Sequence, residues 1–218
     1  DIGVTMLDIG AGNTSIAIFS EGYPVYFSSV PVGGLHITRD IALGLSLSVP
    51  YAERLKVIHG SAISTDSDDL DRIELNEEES NSNHKTITKA ELTSIIKPRV
   101  EEILELAKSN LEKSGLYGVA GNKIVITGGS SQLQGMREIA SYVFNKHTRI
   151  GRPTELHSMP ESAKGPAFST AVGMLIYAAS QKDKTETKPK FNPLEMVSQS
   201  PRKFNKVNQL VEWFKRNF

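Results

Sequence analysis

Cysteine is absent from the chain, and its 25 basic side chains are balanced by 25 acidic ones. Without cysteine there is no disulfide framework and no zinc–thiolate site, which agrees with a reducing compartment such as the cytosol. A formal net charge of zero argues against the broad basic surface that nucleic-acid binding uses, so we expect no nucleic-acid partner. The longest apolar stretch, residues 167–179, is interrupted by Ser169, Thr170 and Gly173 and is too short to span a bilayer.

The first residues lack the features of a natural N-terminus. Asp1 stands where an initiator methionine is expected, no basic segment leads into a signal-type apolar core, and strand-like sequence begins at once. We therefore expect this sequence to be a piece of a longer protein.

Strand-like and helix-like segments alternate, which predicts an α/β fold with a mixed sheet flanked by helices. Short glycine turns between the first three strand-like runs favour an antiparallel meander. A capping box of Thr88 and Glu91 starts a helix that we expect to end before Pro98, where a second helix begins. The predicted strands are residues 4–9, 14–19, 23–30, 123–127 and 149–150, and the predicted helices are 36–47, 51–58, 88–97, 98–115, 133–144 and 166–179.

Residues 66–85 are strongly acidic. They include eight acidic side chains against only Arg72 and Lys85, which gives a local net charge of −6. A one-signed segment that ends in asparagine and serine is typical of a solvated loop or an exposed hairpin, and we prefer this interpretation to a specific site.

The first candidate site is the run from Asp8 to Thr14, in which a strand carries a carboxylate to a glycine turn. Without side chains at Gly10 and Gly12, backbone amides can approach phosphate oxygens closely. Asp8 is placed to hold Mg²⁺ through water, because a bare carboxylate would repel a phosphate ligand. A glycine turn between strands is more often a simple hairpin connection, so this motif alone is weak.

Two further motifs point to the same ligand. The run from Ile126 to Ser131 is a strand, a double glycine and a helix start, which fits an adenosine but fits an ordinary strand–helix turn equally well. Glu53 and Lys56 share one helix face and could clasp ribose hydroxyls and purine edges, although an exposed ion pair is the commoner explanation.

The last residues, 203–218, differ from the polar, linker-like residues 181–202 that precede them. Placed on a helix, they form an apolar stripe with basic residues beside it, and residues 202–218 carry a local charge of +4. This pattern is typical of a helix that lies in an anionic membrane surface, whereas docking on the protein itself is disfavoured by the long linker. The predicted membrane contacts are Phe204, Val207, Leu210, Val211, Trp213, Phe214, Lys215, Arg216 and Phe218.

The order of these motifs resembles the second half of the actin-like ATPase superfamily, and several runs resemble the FtsA family of bacterial division proteins in particular. The tail fits FtsA better than the sugar kinases and chaperone ATPases of the same superfamily. The resemblance covers nearly the whole chain apart from the acidic segment and the linker. The runs that carry it are residues 8–12, 52–60, 96–102, 126–129, 149–153 and 169–173.

The resemblance implies an actin-like (ribonuclease-H-like) fold with an inserted α/β subdomain and a C-terminal amphipathic helix. Residues 1–58 and 121–180 would face the nucleotide, 59–120 would receive the C-terminal tail of FtsZ, 181–202 would be the linker and 203–218 the membrane helix. The residues implied for ATP are Asp8, Gly10, Ala11, Gly12, Asn13, Gly33, Gly34, Glu53, Lys56, Gly128, Gly129 and Ser130, with Asp8 also serving Mg²⁺. Those implied for FtsZ are Ile95, Lys97, Arg99 and Ile103, although each isoleucine taken singly is more often a core residue.

The implied function is a division adaptor that binds ATP, self-associates into filaments and tethers FtsZ to the cytoplasmic face of the inner membrane at the septum. An actin-fold small-molecule kinase or chaperone-type ATPase is the alternative. The family usually has Gly at Ala11, Thr at Asn13 and Asp at Ser15. Because Ser15 removes a carboxylate near the phosphates, we expect at most slow ATP hydrolysis.

Overall fold

The computed structural model describes residues 3–75, 85–119, 121–156 and 159–182. The chain divides into a compact unit, Asp1–Tyr177, and a second unit, Ala178–Phe218, of which only residues 178–182 are described. The predicted membrane segment 203–218 and all but two residues of the predicted linker therefore lie outside the described residues.

Seven strands and five α-helices lie in the described ranges. In chain order they are β1 Val4–Ile9, β2 Thr14–Ser20, β3 Tyr23–Val30, α1 Gly34–Leu45, α2 Val49–His59, β4 Arg72–Leu75, β5 Lys85–Thr88, α3 Lys89–Lys113, β6 Lys123–Thr127, α4 Met136–Phe144, β7 His147–Ile150 and α5 Ser169–Lys182. Short 3-10 turns, Gly129–Gln132 and Pro166–Phe168, precede the last two helices.

Five strands form one mixed sheet in the order β3-β2-β1-β6-β7. The first three pair antiparallel, as the meander prediction required, whereas β6 lies parallel to both β1 and β7. In β1, β2 and β6 the isoleucine and leucine side chains that turn to one face are almost fully buried, and they form one core with apolar residues of α1, α3 and α4. The predicted mixed sheet flanked by helices is confirmed.

Helix α3 runs without a break through Pro98, so the prediction of two helices that meet there is wrong. The capping box is present, because the Thr88 amide donates to Glu91 Oε2 at 2.7 Å and the Glu91 amide donates to Thr88 Oγ1 at 3.1 Å. Proline inside a helix costs about 3 kcal/mol. Fully buried side chains on both sides of it outweigh that cost, since each contributes roughly 1.5–3 kcal/mol. They are Leu92, Ile96, Val100, Ile103, Leu104, Ala107 and Leu111.

The acidic segment contains β4, which pairs antiparallel with β5. One of its acids is not solvated, however, because the side chain of Asp68 is only 1% exposed. It accepts hydrogen bonds from the Thr65 amide at 2.9 Å and the Thr65 hydroxyl at 2.7 Å, and it lies 3.2 Å from Lys89 Nζ. These two hydrogen bonds, with help from Lys89, hold the pKa of Asp68 below its ordinary value.

We predict that Asp68→Asn lowers the free energy of unfolding at pH 7, measured by urea titration. Asp69→Asn, which removes the same charge from an exposed neighbour, should leave it unchanged. Because a group with a lowered folded-state pKa stabilises the protein above its unfolded pKa, the difference between wild type and Asp68→Asn should vanish as the pH falls through the lowered pKa. Equal stability of the two proteins at pH 7 would contradict this role.

Candidate functional site

The turn that joins β1 to β2 presents backbone amides to solvent. It is closed by the Gly10 amide, which donates to the Asn13 carbonyl at 3.0 Å. In the part of the chain that the structure describes, the amides of Ala11 and Gly12 donate to no main-chain oxygen, and both residues are exposed. Exposed amides in a tight turn are suited to an anion such as a phosphate.

The start of α1 packs directly against this turn. The Gly34 amide donates to the Gly10 carbonyl at 2.9 Å, and the Leu35 amide donates to the Ala11 carbonyl at 2.8 Å. A Cβ added at Gly33 would lie 2.6 Å from the Gly10 oxygen, so only glycine permits this approach. The structure thus brings Gly33 and Gly34 to the turn, where the resemblance placed them.

The loop after β6 reaches the same place because β6 is the parallel neighbour of β1, with Thr127 opposite Asp8. The Ser130 hydroxyl donates to the Gly10 carbonyl at 3.0 Å. Gly128 has a φ of +87°, and a Cβ there would lie 2.3 Å from Asp8 Oδ1. The two glycine motifs, which are 120 residues apart in sequence, therefore form one surface.

Glu53 and Lys56 are tied to this surface and are more than an exposed ion pair. Lys56 Nζ lies 2.8 Å from Glu53 Oε2, 2.9 Å from the Thr38 hydroxyl and 3.1 Å from the Gly34 carbonyl. The Lys56 side chain is only 11% exposed, whereas that of Glu53 is 48% exposed. Partial burial raises the pKa of Glu53, but the hydrogen bonds from Lys56 and Thr38 outweigh it and leave the pKa below its ordinary value.

Thr38 is a member of the site that sequence reasoning missed. Its hydroxyl donates to Glu53 and also lies 3.0 Å from the Gly34 carbonyl oxygen. Its only sequence signal is its position one helical turn after Gly34, on the same face of α1.

Asp8 lies near the end of β1, at the edge of the surface formed by the turn after β1, the start of α1 and the loop after β6, which we call the cradle. Among the described residues, no group of three His, Asp or Glu side chains could hold a metal ion. A single carboxylate beside exposed amides nevertheless fits Mg²⁺, which keeps several waters and takes its other ligands from substrate phosphates. The carboxylate also accepts a hydrogen bond from Thr170, which sequence reasoning did not identify.

The residues implied for FtsZ do not all reach the surface. Ile103 has no exposed surface, so the alternative interpretation as a core residue fits it, and Ile95 is half-buried against Gly44. Arg99 is held by Asp40, with Nε–Oδ2 at 2.5 Å and Nη2–Oδ1 at 3.0 Å, and is also paired with Glu102. The hydrogen bonds to Asp40 raise the pKa of Arg99. Lys97, which is 49% exposed, is the more accessible cation.

None of the helices in the described ranges is long and apolar enough to cross a bilayer. The residues predicted to contact the membrane, from Phe204 to Phe218, lie outside the described residues.

Residues 5–173 match the family model described as cell division protein FtsA. The chain is 41% identical over 179 residues to cell division protein FtsA of Agrobacterium fabrum, which covers 81% of this chain and 40% of that protein. It is 29% identical over 218 residues to FtsA of Pseudomonas aeruginosa, which covers 100% of this chain and 52% of that protein. The chain therefore spans between two fifths and about half the length of these relatives.

A similar backbone is found in the crystal structure of MreB5 of Spiroplasma citri bound to ADP. The TM-score is 0.65 at 21% identity, and the match covers 85% of this chain and 56% of MreB5. This likeness concerns the fold alone, and it confirms the predicted actin-like architecture. The family model matches most of the compact unit, and this match shows that the chain belongs to the FtsA family of cell division proteins.

Proposed function

We propose that this chain is part of a division adaptor that binds Mg²⁺ and ATP, self-associates into filaments and tethers FtsZ to the cytoplasmic face of the inner membrane at the septum. The observation that carries the nucleotide part is the meeting of three sequence motifs on one surface. The Gly10 carbonyl accepts hydrogen bonds from both Gly34 and Ser130, so these loops form one cradle.

Each part of the cradle has a distinct role in this proposal. The exposed amides of Ala11 and Gly12 would bind phosphate oxygens. Glu53 and Lys56 would hold the ribose and the purine edge, and the backbone of Gly128 and Gly129 would pack against the adenosine. Asp8 would orient water on Mg²⁺, which neutralises phosphate charge when bound. MreB5, which has a similar backbone, is bound to ADP in one crystal structure and to AMPPNP in another.

Slow ATP hydrolysis is supported by the side chains in the turn that joins β1 to β2. Ser15 stands where the family usually has a carboxylate, and its hydroxyl accepts a hydrogen bond from the Asn13 side-chain amide at 3.2 Å. Neither an amide nor a hydroxyl side chain supplies a general base to the turn as a carboxylate would. A filament-forming adaptor needs the nucleotide as a bound ligand, so fast hydrolysis is not required of it.

The membrane part of the proposal is supported by the pattern of residues 203–218 and by their tether. The polar composition of residues 181–202, with few apolar side chains, is typical of a linker between the folded unit and this segment. Basic residues beside the apolar stripe favour anionic lipids.

The FtsZ part is supported by the exposed end of α3. Lys97 is 49% exposed, with Glu101 3.9 Å away as its ion-pair partner, and it offers a cation to a short acidic peptide. Arg99 is already paired with Asp40, so we assign it the role of holding α1 against α3. Direct contact with the FtsZ peptide is then assigned to Lys97.

We predict that Gly12→Ala weakens nucleotide binding in the longest natural form of the protein by about tenfold, which corresponds to about 1.4 kcal/mol. A Cβ at Gly12 meets nothing within 4 Å, so the fold should tolerate it while the methyl group obstructs the approach of phosphate. Gly118→Ala, which also meets nothing within 4 Å, is the matched control away from the cradle. Equal ADP affinity of both variants in calorimetric titration would contradict the assignment.

Deletion of residues 207–218 should abolish co-sedimentation of this chain with vesicles that contain anionic lipid, and added salt should weaken binding of the intact chain. Val211→Asp, on the apolar stripe, should weaken binding strongly. Asn208→Asp adds the same charge on the polar side and should weaken it far less. Unchanged binding after the deletion would rule out this segment as the anchor.

Lys97→Ala should weaken binding of a peptide from the FtsZ C-terminal tail by about fivefold, since an exposed charge pair contributes at most about 1 kcal/mol. Lys113→Ala removes the same charge from the far end of α3 and serves as the control. Fluorescence anisotropy of a labelled peptide measures both. If the two variants bind alike, the docking face lies elsewhere.

A further inference from the structure

The first turn of α5 is hydrogen-bonded to the ends of β1 and β6. The Thr170 hydroxyl donates to Asp8 Oδ2, with the two oxygens 2.5 Å apart. The adjacent Ser169 hydroxyl is 2.6 Å from the Thr127 hydroxyl, which is itself buried and lies 3.2 Å from the carbonyls of Gly151 and Pro166. Two consecutive side chains of α5 therefore contact the two strand ends that form the cradle.

Asp8 is constrained on both of its carboxylate oxygens. Oδ2 accepts the hydrogen bond from Thr170, and Oδ1 lies so close to Gly128 that a Cβ there would be 2.3 Å away. In the described ranges no side chain donates to Oδ1, so this oxygen keeps its capacity to accept. The hydroxyl of Thr170 thus fixes the orientation of the Asp8 carboxylate and leaves its other oxygen able to accept from another ligand.

We propose that Thr170 is a positioning residue of the nucleotide site, which holds the Asp8 carboxylate in the orientation that would serve Mg²⁺ through water. This inference rests on the proposed function, because Asp8 must serve a Mg²⁺–nucleotide complex. Thr170 acts by fixing the side-chain rotamer of Asp8, as hydrogen-bond partners of metal-binding carboxylates commonly do.

A purely structural role makes a different prediction. If Thr170 only anchored α5, loss of its hydroxyl would lower stability and would weaken binding of metal-free and metal-loaded nucleotide alike. If it positions Asp8, the loss is confined to the metal-dependent part of binding. The dependence of nucleotide affinity on Mg²⁺ concentration separates the two roles.

The test titrates the longest natural form of the protein with a fluorescent ADP analogue at a series of Mg²⁺ concentrations. We expect Thr170→Val, which keeps the side-chain shape but removes the hydroxyl, to raise the Mg²⁺ concentration for half-maximal enhancement by about tenfold. Binding without Mg²⁺ should stay at the wild-type level. Thr170→Ser should restore the wild-type Mg²⁺ dependence, and Thr86→Val, at an exposed position in β5, should not alter it.

Thr170→Ala also removes the hydroxyl and replaces Thr170→Val in the test if the valine variant does not fold. Thermal unfolding of both variants shows whether each is folded. Unchanged Mg²⁺ dependence in the folded variants would overturn the proposal, as would equal weakening of metal-free and metal-loaded binding. A wild-type protein that binds the analogue equally with and without Mg²⁺ would overturn the proposed function as well. The wild-type titration alone shows this second outcome, so the two failures can be told apart before any variant is made.

Discussion

The parallel pairing of β1 with β6 is the constraint on which the site depends. Its register sets Asp8 opposite Thr127, so the turn after β1 and the loop after β6 leave the sheet side by side. Carboxyl ends of adjacent parallel strands lie at one edge of a sheet, which is where α/β proteins bind their ligands. A shift of one residue in this register would turn Asp8 into the core. The same shift would move Leu7 and Ile9 from the core to the opposite face of the sheet.

Close contacts between backbones convert this edge into a cradle. Glycine at positions 33 and 128 lets the start of α1 and the loop after β6 approach the turn more closely than any side chain permits. Lys56 then bridges α2 to the same loops through Thr38 and the Gly34 carbonyl. These contacts hold the loops of the cradle together and leave the exposed amides of Ala11 and Gly12 for an anion.

Much of this could be predicted from the sequence because strand, turn and helix signals are local. The meander and β6 depend on periodicity and turn residues, and the structure confirms them. The path of α3 through Pro98 and the burial of Asp68 depend on neighbours distant in sequence, so local preference did not indicate them. Thr38 and Thr170 are ordinary threonines in sequence, and only the tertiary structure brings them to Glu53 and Asp8.

In the proposed complex, the nucleotide lies against the turn after β1 and the loop after β6. A crystal structure of the longest natural form of the protein with Mg²⁺ and a non-hydrolysable ATP analogue would test it. We predict phosphate oxygens within hydrogen-bond distance of the amides of Ala11 and Gly12, with the adenosine between Glu53 and Gly128. A nucleotide bound elsewhere, with this turn in contact with solvent alone, would contradict the account.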